Sequence, residues 1–301
     1  MPEGLITKAL SGYYYVQNDE GGHTIQCRGR GIMKQRGQSP LVGDRVIYTL
    51  TDNGEGAVER ILPRKSALIR PAIANADLAV LVFSVVRPEL SLILLDKFLV
   101  HTEHAGLDAV IVLTKLDRIP DGEVGDQIRR NVEAAQALYR SLGYKVFLTS
   151  AHQGTGLEPL KLALAQHINV CAGQSGVGKS SLLNALVPGL TLETNEISMK
   201  LGRGKHTTRH VELISLQGGG YLADTPGFSQ LDFAELGIDE IDSCFREFRP
   251  LSHQCKFRGC SHTHEPSCAV LDAKEQGLIA SSRYEHYVSF LTEWKETRRR
   301  Y

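Results

Sequence analysis

The octapeptide GQSGVGKS, residues 173–180, constrains this chain more than any other stretch. It lies between the apolar run INVCA (168–172) and the helix candidate KSSLLNAL (179–186). Strand, glycine-rich turn and helix form the context in which G-x-x-x-x-G-K-[ST] curls its backbone N–H groups around a phosphate at a helix N-terminus. Gly173, Gly176 and Gly178 permit the curl, Lys179 is placed to reach β- and γ-phosphate oxygens, and Ser180 to ligate Mg²⁺. Gln174, Ser175, Val177 and Ser181 complete the loop and the first helical turn. A glycine-rich turn that carries no phosphate is the plainer alternative.

The surroundings support a sheet built to hold such a loop. From Leu78, apolar runs alternate with amphipathic ones: LAVLVFSVV before SLILLDKFLVHTEHAG, DAVIVLTK before EVGDQIRRNVEAAQALYRSLG, and KVFLTS before GLEPLKLALAQ. HVELISL and GGYLADT follow the phosphate loop. Buried strands separated by helices predict a mainly parallel, doubly wound α/β domain, taken as residues 70–232. Residues 1–69 read differently. GYYYVQ, HTIQCR, DRVIYTL and AVERIL, split by Gly-containing turns, predict a small all-β barrel or sandwich, with PRKSALIRP as a linker. Residues 233–301 hold an acidic helix candidate (ELGIDEIDSCFREF), a Cys/His cluster and a polar helix ending in EWKETRRRY.

TKLD and TSA identify the base. Thr114, Lys115, Leu116 and Asp117 follow the strand DAVIVL, and Ser150 and Ala151 follow KVFL, so both segments sit at the ligand-binding edge of an open sheet. A carboxylate at Asp117 accepts from guanine N1–H and the exocyclic amine, donors that adenine does not offer in that arrangement. Lys115 would lie along the base, and the Ser150–Ala151 backbone would meet the guanine carbonyl. These elements normally follow the phosphate loop, yet here they precede it. A circular permutation leaves the packing of a doubly wound sheet intact, so the order guanine elements, phosphate loop, switch I, switch II describes a permuted GTPase. DTPGF (224–228) supplies Asp224 for Mg²⁺ and the Gly227 N–H for the γ-phosphate. Switch I falls in LGRGKHTTRHVEL (201–213), where Thr207 or Thr208 completes the Mg²⁺ shell; a solvated basic loop is the alternative. Phe228 stands where Ras-like enzymes position water with Gln, leaving His206 as the nearest candidate for that task beside Lys179 and Gly227.

CKFRGCSHTHEPSC brings Cys255, Cys260, His262 and Cys268 into a short span, with His253 and His264 as rival ligands. Three thiolates and an imidazole close a tetrahedral Zn²⁺ site with no open position, which makes the zinc structural. Six cysteines in 301 residues are too few and too unevenly spaced for a disulfide scaffold. With 42% hydrophobic and 23% charged residues the composition excludes fibrous and disordered classes, and no run is long enough to span a bilayer. The expectation is a cytoplasmic monomer that stays off the membrane.

Together these motifs resemble the small-ribosomal-subunit-dependent GTPase A family, the bacterial RsgA/YjeQ proteins, over nearly the whole chain. The departures are Thr114 for the commoner Asn and a short run between Ala165 and Ile168. The resemblance implies an N-terminal OB-fold contacting ribosomal RNA, a circularly permuted GTPase domain, a zinc-binding helical module, and GTP hydrolysis stimulated by the small (30S) subunit late in its maturation. The residues alone support RNA binding less firmly. Basic clusters at 28–36 and 63–70 near Tyr13, Tyr14 and Tyr15 suit phosphate pairing and stacking, but a structural barrel with solvated charges suits them equally. Two other functions compete. One is a GTP-gated RNA-binding module in which occupancy rather than turnover matters; the other is a metabolic kinase or ATPase, which TKLD disfavours.

Overall fold

The computed structural model describes residues 1–20, 22–29, 39–51, 54–68, 72–190, 211–224 and 241–298. Its first five strands are β1 (Glu3–Leu10), β2 (Tyr13–Asn18), β3 (Thr24–Gly29), β4 (Arg45–Leu50) and β5 (Gly56–Ile61). They run in the order β1-β2-β3-β5-β4 and close where β4 pairs back to β1; only β3 and β5 are parallel. This is a closed, OB-like barrel filled by Ile6, Val16, Val46, Tyr48 and Val58. The sequence patterns miss β1. A register shift between Ile6 and Lys8 bends the strand, so its first half serves the barrel while Lys8 pairs with Glu212 outside it. Gly4 is needed because a Cβ there would lie 2.5 Å from the Gln17 carbonyl oxygen. The described part of the expected linker, residues 63–68, is also structured. Its β6 (Ala67–Leu68) pairs with β7 (Ile73–Ala74), and Arg64 Nε donates to the fully buried Asp44 at 2.7 Å.

The second layer system starts with β8 (Leu78–Ser84), α1 (Leu92–His104), β9 (Asp108–Thr114) and α2 (Glu123–Ser141). It continues through β10 (Lys145–Leu148), α3 (Leu157–Leu164), β11 (Ile168–Ala172), α4 (Lys179–Leu186), β12 (Glu212–Ser215) and β13 (Tyr221–Asp224). Strand order is β10-β9-β8-β11-β13-β12, parallel throughout except for β12. Alternation along β8 shows the double winding. Ala79, Leu81 and Phe83 pack with Leu95, Phe98 and Tyr139 of α1 and α2, whereas Leu78, Val80 and Val82 pack with Leu160, Leu164 and Leu182 of α3 and α4. Through the Lys8–Glu212 pairing the barrel strands and this sheet form one 11-stranded sheet.

The C-terminal region contains α5 (Arg249–Ser252), α6 (Ala269–Glu275) and α7 (Ser281–Arg298) around Phe245, Phe248, Tyr287 and Phe290. The expected acidic helix is corrected here: among its described residues only Asp242–Cys244 forms a 3₁₀ turn ahead of α5. Phe245 takes extended backbone (φ −96°, ψ 109°), and the chain beyond it sends Arg246 and Arg249 to Glu103 of α1 at 2.5 and 2.6 Å. A second carboxylate of α1, the fully buried Asp96, meets Arg283 Nη1 at 2.6 Å and His286 Nδ1 at 2.5 Å on α7, and accepts from the Tyr139 hydroxyl at 2.6 Å. Arg283 also donates to Glu247 at 2.7 Å. Val100 of α1 completes the C-terminal aromatic core, so this region is built onto α1.

Candidate nucleotide site and metal centre

Three segments meet at the carboxyl edge of the sheet because three of its parallel strands end there. Gly173 follows β11, Thr114 ends β9, and Thr149 and Ser150 follow β10. Only glycine suits position 173: φ is +148°, and a Cβ would lie 2.2 Å from the Val82 carbonyl oxygen. Gly178, at φ +96°, precedes α4 and ends the loop. Lys179 Nζ donates to the Gly173 and Gln174 carbonyls at 2.5 and 2.6 Å. Burial lowers the pKa of this ammonium. Val177 is buried, Gln174, Ser175, Gly176 and Ser181 are exposed, and Ser180 is half-buried on the first turn of α4.

The TKLD segment is bolted to this loop. Thr114, which is 4% exposed, donates its hydroxyl to the Val177 carbonyl at 2.5 Å, and Lys115 Nζ donates to the Gly176 and Arg87 carbonyls, each at 2.5 Å. Lys115 takes left-handed backbone (φ 65°), and the Leu116–Arg118 turn follows it. Asp117 Oδ1 accepts from the Ser150 hydroxyl at 2.5 Å, tying the TKLD and TSA segments together. A cleft of about 230 Å³ lies between Lys115, Asp117 and Ala151 on one side and Gly178 and Ser181 on the other. Arg118 and His152 line it too, and the motifs single out neither. His152 was detectable only as the residue after TSA, and the Arg87 anchor only as a backbone carbonyl, which leaves no trace in sequence.

Asp224 ends β13, next to β11, so its backbone reaches the same sheet edge. His206, Thr207, Thr208, Gly227 and Phe228 lie outside the described residues, as does most of the basic cluster at 28–36.

At the other site, the thiols of Cys255, Cys260 and Cys268 and the imidazole of His262 offer donor atoms all within 4.8 Å of one another. Cys255 Sγ is 3.8 Å from Cys268 Sγ and 3.6 Å from His262 Nδ1, and His262 Nδ1 is 3.3 Å from Cys268 Sγ. A tetrahedral centre with metal–sulfur bonds of about 2.3 Å separates its sulfurs by about 3.8 Å, so these residues could hold a metal ion. His253 and His264 are exposed and stand apart from the four; His264 Nδ1 pairs instead with the Thr263 hydroxyl at 2.8 Å. Behind the ring, His262 Nε2 faces Asp242 Oδ2 at 3.5 Å and Ser252 Oγ at 3.4 Å, which orients it with Nδ1 toward the thiols. Glu265 braces the ligand loop. Burial raises its pKa, but hydrogen bonds from the Ser261 hydroxyl and the Ser261, Thr263 and His264 amides outweigh that and hold it well below the usual carboxylate range. Neither Asp242 nor Glu265 stands out in the sequence, where each is one acid among several.

Two family models match the chain: the RsgA N-terminal domain over residues 3–58 and the RsgA GTPase over residues 61–234. The Small ribosomal subunit biogenesis GTPase RsgA of Halalkalibacterium halodurans is 51% identical over 300 residues, covering 100% of this chain and 99% of its own. The protein of the same name from Geobacillus kaustophilus is 52% identical over 301 residues, covering 100% of both chains. Among solved structures, that of YloQ, a circularly permuted GTPase, is similar at a TM-score of 0.84 and 43% identity, over 99% of this chain and 96% of that one. YjeQ from Thermotoga maritima reaches 0.84 at 39% identity, over 97% and 98%.

Proposed function

The chain belongs to the RsgA GTPase family, a circularly permuted GTPase with an OB-like barrel, and on that premise we propose that it hydrolyses GTP in late maturation of the small ribosomal subunit. The observation that carries this reading is the bolting of Thr114 and Lys115 to Val177 and Gly176, which puts the guanine-reading carboxylate of Asp117 within one cleft of the phosphate loop. Asp117 reads the base edge while Ser150 fixes its carboxylate and the Ala151 backbone meets the guanine carbonyl. Residues 173–181 wrap the phosphates, and Lys179 with Gly227 holds the γ-phosphate. Ser180, Asp224 and Thr207 or Thr208 would hold Mg²⁺, which neutralises phosphate charge when bound. His206 is proposed to position the attacking water, since Phe228 cannot. The domains are taken as 1–69, 70–232 and 233–301.

The barrel is the proposed rRNA-binding surface, supported by Arg28 lying 4.7 Å over the Tyr13 ring next to Tyr14 and Tyr15 on β2. The reading in which GTP occupancy alone matters is not favoured for a member of a hydrolase family. We take the protein as a cytoplasmic monomer; among the described residues no helix is long and apolar enough to cross a membrane. GTP turnover measured with and without purified small subunits tests the function. Slow turnover alone and a strong rise with subunits are expected, and an unchanged rate would refute the subunit's role.

The metal is proposed to be one structural Zn²⁺, held by Cys255, Cys260, His262 and Cys268, because all four donors belong to the protein and three are thiolates. Metal analysis of protein prepared without chelators should find one zinc per chain. Cys260→Ala should lose it and make residues 241–298 protease-sensitive. A metal-free parent with the same protease resistance would count against the site.

A further inference from the structure

Among the described residues one ring lines the cleft beside Asp117, the imidazole of His152, and we infer that this side chain stacks on the guanine base and sets nucleotide affinity. The inference rests on the GTP-site reading above and extends it to a residue outside the guanine motifs. A base read along its edge by Asp117 exposes two flat faces, and affinity depends on what covers them. Most polar groups lining the cleft already have partners. The Thr114 hydroxyl goes to Val177, Lys115 Nζ to Gly176 and Arg87, and Asp117 Oδ1 receives Ser150. With its ammonium held at two carbonyls, Lys115 offers only its methylene stem, whose Cε lies 3.6 Å from where a Cβ on Gly178 would be. Ala151, Gly178 and Ser181 are too small to cover a purine face. His152 supplies a planar π-surface, and base stacking needs no particular hydrogen-bond pattern.

The local backbone fixes the turn that carries this ring. Ser150 N donates to the Thr155 carbonyl at 3.1 Å and Gln153 N to the Ser150 hydroxyl at 3.1 Å, closing the turn that carries His152. Gly156 then packs so closely on β10 that a Cβ would lie 2.0 Å from the Leu148 carbonyl oxygen. The same Ser150 hydroxyl donates to Asp117, so edge reader and stacking ring share one brace.

The test uses the full chain, titrated with GDP and separately with inorganic pyrophosphate, which engages the phosphate loop without a base. His152→Ala should weaken GDP binding roughly tenfold, as expected for one base–ring stack, and leave pyrophosphate binding unchanged. His152→Phe should restore GDP affinity, and in the parent the His152 ring-proton resonances should move upfield with GDP but not with pyrophosphate. Arg118→Ala, at the other unassigned lining residue, should have a smaller effect. Equal GDP affinity in His152→Ala and the parent overturns the stacking role while leaving the GTP site in place. A larger loss in Arg118→Ala than in His152→Ala also overturns it. A parent that binds pyrophosphate but not GDP refutes the guanine site itself, and the stacking role with it.

Discussion

Thr114 shows how one atom can replace a larger side chain. Its hydroxyl lies 2.5 Å from the Val177 carbonyl and 3.2 Å from that of Phe83, and its single hydrogen goes to the nearer, joining the TKLD segment to the GQSGVGKS loop. Thr114→Val keeps the shape but leaves the buried carbonyl unpaired, a loss of about 1–3 kcal/mol. Calorimetry should show weaker GDP binding and a lower melting temperature; Thr114→Asn, which keeps a donor, should fall between variant and parent. Unchanged GDP affinity in Thr114→Val would mean that the bond does not support the site. The TKLD residue types and their position at a strand end are readable in the sequence, because base recognition and strand termination both leave local signals. The Val177 partner lies 63 positions along the chain, and only the packing of the sheet that carries β9 and β11 brings it into reach. His152 was legible only as the residue after TSA, because an imidazole after a turn motif has no pattern until the cleft is seen.

Among elements, strands with one clean job were legible and β1 was not. EGLITKAL lacks alternation because Leu5 and Ile6 are both buried, on opposite faces of the strand, while Lys8 turns to Glu212. By contrast, the helix beginning at Leu92 follows from its apolar spacing and the cap at Ser91, whose hydroxyl accepts from the Leu94 amide at 3.4 Å. That helix also carries a pH-sensitive residue. Burial, then the charges of Lys97 and His104, push the His101 pKa down to about 3. A histidine kept neutral in the fold but titrating near pH 6.5 when unfolded adds full stability above about pH 6.5, and the contribution drains away as pH falls toward the folded value. The melting temperature should therefore drop between about pH 6.5 and pH 4. His101→Leu should flatten that slope; an equally steep decline in variant and parent would assign the acid sensitivity to other groups.

At the scale of the molecule, α1 joins two regions that the sequence suggests are separate modules. Asp96 and Glu103 read as ordinary charges on an amphipathic helix, since their partners come as many as 190 positions later. Removing one member of a buried pair costs about 3–5 kcal/mol, whereas replacing the pair with apolar groups can be neutral. Asp96→Asn should therefore raise hydrogen exchange across residues 241–298, and adding Arg283→Met should restore part of the protection. Equal protection in Asp96→Asn and the parent would show that the C-terminal region is held by other contacts. The barrel's place beside β12 also bears on self-association. A terminal sheet strand offers unpaired backbone groups to any passing chain, and here β1, with a lysine at the junction, lies against that border. Cut free of its barrel, the nucleotide-binding sheet would present a sticky seam to its own copies, so the joint with the barrel doubles as protection against aggregation.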